Sequence, residues 1–179
     1  MSATKFETQP YSIGEWTIAR LPDDISKQLP SRSQVAIIGT INDYEFRTVL
    51  EPDGNFGHWL HITEQLQKDT KIQPGDTITV ELEVTKDWPE PTMPDDLAAA
   101  LKTAPDRVKE KWQDITPMAR NEWVRWIGAT NNLETRAVRI EKSISKLNGK
   151  HRRPCCFNLA ACTVMEVSKS GVLLPPATA

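Results

Sequence analysis

The chain has 179 residues, of which 39% are hydrophobic and 26% are charged, a composition typical of a folded protein and not of a disordered one. No stretch approaches the roughly 20 apolar residues that span a bilayer, and the first residues contain no apolar run of secretory length. We therefore expect a soluble protein of the cytoplasm, where its three cysteines stay reduced.

The net charge of −2 conceals an uneven distribution along the chain. Residues 1–92 carry a balance of −7, residues 93–133 are balanced, and residues 134–153 carry +5. Such polarity can orient a partner or a second copy of the chain, and it argues against a wholly basic nucleic-acid binder.

The first half of the chain has the period of two that predicts β-strands. Strands are expected in EWTIARLP, VAIIGTI, YEFRTVL, HWLHI and TITVELEVT, with short helices from about Asp23 to Leu29 and from about Thr63 to Asp69. Asn42-Asp43 suits a hairpin turn, and the Pro-Gly pair of QPGD suits a type II turn. Several short strands within about 85 residues favour a small barrel over an open sheet with exposed edges.

Three prolines in KDWPEPTMPDD predict a stiff linker, and the period after it is helical. Helices are expected to begin at Pro94, Pro105 and Pro117, and a last helix to run from a capping box at Asn131 to a stop at Gly149. One apolar stripe of the last helix comprises Leu133, Ala137, Ile140, Ile144 and Leu147. The sequence thus predicts an α+β fold with a β-barrel domain (1–88), a C-terminal bundle of short helices (89–150) and a cysteine-containing tail packed on the fold (151–179).

Two blocks of the sequence resemble known families. GTINDYEFRTVLEPDGNFGHWLHI, PGDTITVELE and MPDDLAAAL resemble the bacterial domain-of-unknown-function family 1905. TPMARNEWVRWIGATNNLETRAVRIEKSISKLNGK resembles the helical domain of the bacteriocin-protection, YdeI/OmpD-associated family, although Ala129-Thr130 stands where an Ala-Lys pair is expected. The resemblance implies a double-split, AbrB-like barrel followed by a small helical domain, with a link to envelope stress and antimicrobial-peptide protection. It implies no catalytic residues.

The last helix supplies the main candidate binding site. Opposite its apolar stripe lie Arg139, Lys142, Lys146 and Lys150, with Arg136 adjacent. Cations near a helix C-terminus are favourable by themselves, so a solvated face is the alternative to a binding surface. Among the later positions only Glu141 is acidic, so pairing along the helix cannot neutralise the stripe. We expect an acidic protein partner or self-association. Nucleic acid is disfavoured because the barrel is acidic.

Arg47 and His58 of the barrel complete the candidate binding residues. His58 and His61 point to opposite faces of one strand and cannot chelate one ion together. His58 alternates with Leu60 and Ile62, so a hydrogen-bonded core histidine is the competing interpretation. The tryptophans of the helical half have the spacing of a core, with base or ligand stacking as the alternative. We predict no cofactor.

The stretch GKHRRPCCFNLAACTV contains every cysteine of the chain. His151, Cys155, Cys156 and Cys162 match zinc in number and type, but adjacent cysteines rarely face one ion and no C-x-x-C is present. We predict a structural tail without metal, and a zinc site is the alternative.

The functional hypothesis from the sequence is a non-enzymatic cytoplasmic binding or adaptor protein related to stress tolerance. One alternative is an AbrB-like DNA-binding regulator, which salt-dependent retention on DNA would reveal. A second alternative is an enzyme or small-ligand binder with a pocket at the domain junction.

Overall fold

A computed structural model describes residues 2–154 and 164–177 of the chain. These residues form two compact units, one of residues 2–88 with 164–177 and the other of residues 89–154. The segment expected to be a single tail, residues 151–179, is thus divided between the two units.

The first unit is built on a seven-stranded antiparallel sheet with the order β1-β7-β4-β5-β6-β3-β2. Its strands are β1 (Thr4–Thr8), β2 (Tyr11–Ile13), β3 (Trp16–Arg20), β4 (Val35–Ile41), β5 (Tyr44–Pro52), β6 (His58–His61) and β7 (Ile78–Val84). Helix α1 (Asp23–Lys27) follows β3, and α2 (Glu64–Thr70) follows β6.

The sheet is strongly curled. Its two edge strands, β1 and β2, are consecutive in the chain with only Gln9 and Pro10 between them, so the edges must approach each other. Thr8 at the end of β1 donates a hydrogen bond from Oγ1 to the carbonyl of Arg20 in β3, at 2.8 Å. Strand β5 pairs with β4 along most of its length and with β6 at its last two residues, and thereby connects the two halves of the sheet.

Alternation of apolar and polar residues explains why these segments form strands with one buried face. In β7, Ile78, Val80 and Leu82 are fully buried while Glu81 and Glu83 are exposed. The hairpin between β4 and β5 turns on Asn42 and Asp43, which both have positive φ, as the predicted two-residue turn requires. Residues of α1 and α2, among them Ile25 and Leu66, join the same core.

The last described segment packs on the curled sheet. It comprises a 3-10 turn (Met165–Val167) and a hairpin of β8 (Ser168–Lys169) and β9 (Val172–Leu173). Val167 and Leu173 are buried in a second apolar cluster with Ile13, Ile18 and Trp59. The Leu173 amide donates to the carbonyl of Asp53 at 2.9 Å, which fixes the hairpin to the turn after β5.

The second unit is a group of four helices: α3 (Asp95–Lys102), α4 (Asp106–Asp114), α5 (Pro117–Gly128) and α6 (Leu133–Asn148). The Thr116 hydroxyl caps α5 by accepting from the Ala119 amide at 3.1 Å. The cap of α6 is Asn132, whose side chain accepts from the Thr135 amide at 2.9 Å, and not Asn131 as the sequence predicted. Within the described ranges, every helix is too short or too polar to cross a bilayer.

The predicted apolar stripe of α6 is wrong in its first half. Leu133 is 81% exposed, and the buried face is formed by Ile140, Ser143 and Leu147. The polar Ser143 tolerates burial because its hydroxyl donates to the Arg139 carbonyl one turn earlier, at 2.7 Å. The hydrophobicity of its residues alone does not indicate that the packed face of α6 includes Ser143 and excludes Leu133.

Candidate functional site

The candidate site is built around Trp126 on α5. Its ring is half-buried and meets the fully buried ring of Trp123 edge-on, with the ring centroids 6.1 Å apart. Trp123 is held in turn by a hydrogen bond from its indole N–H to the Arg152 carbonyl at 3.0 Å. The indole N–H of a buried tryptophan usually has a hydrogen-bond partner. Here that bond holds Trp123 in place, and Trp126 packs against it.

Two cations of α6 lie over the ring of Trp126. The guanidinium carbon of Arg139 is 5.6 Å from the ring centroid, and the Lys146 ammonium is 5.9 Å from it. Arg139 also donates from Nη1 to the Trp126 carbonyl at 2.8 Å. These distances lie within the range of cation–π attraction, which is worth roughly 0.5–1 kcal/mol at exposed sites. The aromatic ring thus fixes two of the predicted binding residues in place.

Lys142 and Lys150 are exposed beside these two cations. In the described part of the chain, no hydrogen bond or ion pair holds either ammonium. We name the set of Arg139, Lys142, Lys146 and Lys150 the basic edge. Arg139 and Lys146 lie beside the buried face of α6 and not opposite to it, because both contact Trp126 of α5. Lys150 follows the C-terminal end of α6.

Arg136 has a structural contact instead. Its guanidinium binds the Asp96 carboxylate of α3 with two hydrogen bonds, from Nε at 2.6 Å and from Nη2 at 2.9 Å. The bidentate pair lowers the pKa of Asp96, chiefly through the hydrogen bonds that Arg136 donates. Arg136 therefore joins α6 to α3, and Asp96 pairs with its charge.

Two acidic residues stand close in sequence to Trp126 and to the basic edge, Glu122 and Glu141. Glu122 is 6% exposed and its carboxylate is bound by the Arg153 guanidinium. Glu141 is exposed on α6. The edge thus offers a row of positive charge with an aromatic ring at its centre.

His58 is buried within the sheet unit, with 1% of its surface exposed. Its Nδ1 lies 2.5 Å from the Ser26 hydroxyl oxygen, and its Nε2 lies 2.9 Å from the Ser33 carbonyl. A carbonyl can only accept, so Nε2 carries the proton and Nδ1 accepts from Ser26. Burial lowers the pKa of His58 because it disfavours the charged imidazolium. The imidazole thus has the surroundings of a core histidine.

Arg47 projects from the outer face of the sheet. It donates from Nη2 to the Asp87 carbonyl at 2.6 Å and lies 3.2 Å from the Asp87 carboxylate. The structure brings Arg47 together with exposed carboxylates of the same sheet face and not with His58, which lies inside.

The predictions for the cysteine stretch fall on Cys155, Cys156 and Cys162, which lie outside the described residues. His151 is described and is exposed. Across residues 2–154 and 164–177, no three histidine, cysteine or acidic side chains are grouped closely enough to hold a metal ion.

Two features of the site could not be predicted by sequence reasoning. The contact of Trp126 with Arg139 and Lys146 joins two helices whose rotation depends on the packing of Ser143. The Ser26–His58 hydrogen bond joins residues 32 positions apart. For the first contact, the sequence offers only a weak signal: Trp126 lies at the edge of the apolar face of α5, and the next helix is rich in lysine.

The architecture defines a two-part α+β protein, with a curled antiparallel sheet followed by a group of helices. Residues 4–82 match the model of a domain of unknown function, DUF1905. Residues 90–149 match the model described as bacteriocin-protection, YdeI or OmpD-associated. The two matches follow each other in the order expected from the sequence, which confirms the resemblance to both families. The segment MPDDLAAAL (93–101) is the exception, because it lies in the second match and not in the first. No curated protein matches the chain.

Proposed function

We propose that this protein is a non-enzymatic binding protein that acts in bacteriocin protection, and that its basic edge binds an acidic protein surface. The observation that carries the proposal is the arrangement of exposed Lys142 and Lys150 beside Trp126 and its two stacked cations. Aromatic and arginine side chains are enriched at the centres of protein interfaces, and surrounding charges steer the encounter. The name of the family matched by residues 90–149 supports the link to bacteriocin protection.

The environment of Ser26 and His58 supports a non-enzymatic role. A serine beside a histidine is the arrangement from which nucleophilic catalysis starts, and a substrate must reach the hydroxyl. Ser26 and His58 are each only 1% exposed, and the second ring nitrogen donates to a backbone carbonyl. The pair instead joins α1 to β6 inside the sheet unit.

The finer architecture that we propose for the curled sheet is a double-split, AbrB-like barrel. Its support is the approach of the edge strands β1 and β2 and the passage of β5 between the two halves. A barrel of this type raises the rival function of a DNA-binding regulator. The carboxylates of Glu45, Glu81 and Glu83 on its outer face oppose that role because they repel phosphate.

A titration with labelled duplex DNA separates the two functions. At physiological salt we expect no saturable binding at micromolar protein, since the acidic sheet face offsets the basic edge. Binding with a steep dependence on salt, lost when Lys142 and Lys150 are both changed to Glu, would establish the regulator instead.

The link to bacteriocins is tested by deleting the gene and exposing the strain to a bacteriocin. We expect fewer survivors than in the parent strain and full recovery when the wild-type gene is restored. Equal survival of the deletion and parent strains over a range of bacteriocin doses would contradict a role in protection.

A further inference from the structure

A groove of about 700 Å³ runs across the outer face of the sheet, away from the core. We name it the sheet groove; its lining includes Ile38, Thr40, Glu45, Arg47, Glu81 and Glu83. Ile38 is 41% exposed and supplies a large apolar side chain to the groove. The groove thus combines an apolar floor with charged walls.

Strand register sets the positions of these charges. Thr40 of β4 lies opposite Glu45 of β5 on one side and opposite Glu81 of β7 on the other. Ile38 lies between Arg47 and Glu83 in the same way. Neighbouring strands are about 5 Å apart and alternate residues about 7 Å apart, so the three glutamates are spaced by about 7–12 Å along the backbone.

The groove is negative overall. Its one cation, Arg47, is bound to Asp87, and Lys5 lies opposite Glu81 on the adjacent edge strand. Glu45, Glu81 and Glu83 are exposed, and in the described ranges they form no ion pair. A complementary ligand would carry several cations at a similar spacing next to an apolar or aromatic group.

The basic edge of the same chain has this chemistry. Lys142 and Lys146 are four residues apart on α6, which corresponds to about 6 Å along the helix axis. Trp126 lies beside them as the aromatic group. We propose that the basic edge of one copy docks in the sheet groove of a second copy, so that the protein self-associates head to tail.

This proposal rests on the proposed function for the identity of the contact surface, and it names another copy of the chain as the acidic partner. A head-to-tail contact joins two different surfaces, so an open assembly keeps one unused groove at one end and one unused edge at the other unless a ring closes. Pairing between exposed charges weakens with salt, since the Debye length falls from about 10 Å at 0.1 M to about 3 Å at 1 M.

The experiment measures molar mass by light scattering or sedimentation at about 0.05 M and about 0.5 M salt, where screening differs strongly. For the wild type we expect at least twice the monomer mass at low salt and the monomer mass at high salt. A groove variant (Glu45→Lys, Glu81→Lys, Glu83→Lys) and an edge variant (Lys142→Glu, Lys146→Glu, Lys150→Glu) should each stay monomeric at low salt.

Mixing the two variants gives the decisive result. The groove variant then offers a basic groove to the acidic edge of the other variant, so we expect the mixture to regain at least the dimer mass. A wild type that is monomeric at low salt, or a mixture that stays monomeric although both variants are folded by circular dichroism, would overturn the proposal.

Two controls keep the result interpretable. Reversal of three exposed acids outside the groove (Glu15→Lys, Glu110→Lys, Glu166→Lys) changes the net charge equally and should leave self-association intact. If the groove variant fails to fold, changing the same three glutamates to Gln should still lower the low-salt mass. If the wild type stays monomeric but the edge variant loses bacteriocin protection, self-association is overturned and the proposed function stands.

Discussion

The buried imidazole of His58 makes the stability of the sheet unit depend on pH. Burial lowers its folded-state pKa, whereas the pKa in the unfolded chain is about 6.5. The unfolded chain therefore takes up a proton first, and the free energy of unfolding falls as the pH drops below about 6.5. Burial lowers the pKa of His61 as well, which adds to the slope in the same direction.

We expect the variant His58→Gln to be less stable than the wild type at neutral pH and to lose less stability between about pH 7 and pH 5. Urea unfolding at a series of pH values measures both effects. The variant His151→Gln is the control, because its side chain is exposed, and it should keep the wild-type profile. An unchanged pH slope in His58→Gln would show that this imidazole is not the titrating group.

Gly39 in β4 allows two strands to approach closely. A Cβ atom at this position would lie 1.9 Å from the Glu81 carbonyl oxygen of β7. We therefore expect Gly39→Ala to lower the free energy of unfolding by about 1–3 kcal/mol or more, as overpacking does.

Gly128 provides the matched control for this substitution. Among the described residues, a Cβ added to Gly128 at the end of α5 meets only Arg136 Nη1 at 3.9 Å, an ordinary contact. Gly128→Ala should be neutral or stabilising by up to about 1 kcal/mol, as helix propensity predicts. Thermal unfolding that ranked the two variants in the opposite order would contradict the strand packing described for β4.

At the scale of elements, α6 offers a direct test of which face is packed. Leu147 is fully buried in the helical core, whereas Leu133 on the same helix is 81% exposed. Leu147→Ala should cost about 2–5 kcal/mol, the range for large-to-small changes in a core. Leu133→Ala should change stability by less than about 0.5 kcal/mol, as expected for the surface. If chemical unfolding showed that both variants lose the same free energy of unfolding, the apolar stripe predicted from the sequence would be right.

Regular alternation made the central strands predictable. The segment Val35–Ile41 was expected as a strand and is β4, because its side chains pack on one core and its turn residues are specific. Strands β1 and β2 were missed. Strand β1 has Phe6 as its one buried side chain and pairs with β7, which lies far along the chain, so its formation depends on tertiary hydrogen bonding. Strand β2 has only three residues and pairs with the adjacent β3, and so short a segment shows no clear alternation.

The candidate site was predictable only in part, for similar reasons. The spacing of Arg139, Lys142 and Lys146 indicates one side of a helix from the sequence alone, whereas Lys150 follows the end of that helix. The same pattern grouped Arg136 with them, but Arg136 binds Asp96, and a pair between helices 40 residues apart leaves no periodic signal. Helical periodicity thus identifies neighbours on one helix and gives no information on what the next helix contributes.

At the scale of the whole molecule, the sheet unit is discontinuous in sequence. Its core is completed by Val167 and Leu173, which follow the helical unit in the chain. We expect Leu173→Asp to destabilise the sheet unit by several kcal/mol, because it buries an unpaired charge against Trp59.

The neighbouring position supplies the control for the C-terminal hairpin. Val172 is 44% exposed, so Val172→Asp should leave the unfolding midpoint close to that of the wild type. Urea unfolding followed by Trp fluorescence compares the two variants. If Leu173→Asp unfolded at the wild-type midpoint, the hairpin would not belong to the core of the sheet unit.

The order of the two parts and the uneven charge were visible in the sequence, because both are properties of contiguous segments. The return of residues 164–177 to the sheet and the convergence of Glu45, Glu81 and Glu83 were not visible. The convergence of the three glutamates arises from the strand order, which places β4 between β5 and β7. The C-terminal hairpin forms a sheet of its own and is attached by the packing of Val167 and Leu173. Local sequence patterns do not indicate the order of the strands in the sheet.

The measurement that tests the basic edge most directly is bacteriocin survival of a gene-deletion strain that carries the variant Lys142→Glu, Lys150→Glu. Both lysines are exposed, so the variant should fold and reach wild-type levels on an immunoblot. The control variant Lys86→Glu, Lys169→Glu makes the same charge change at exposed positions of the sheet unit. We predict that survival with the basic-edge variant falls to that of the deletion strain, while the control variant protects like the wild type. Full protection by the basic-edge variant would contradict its role as the contact surface.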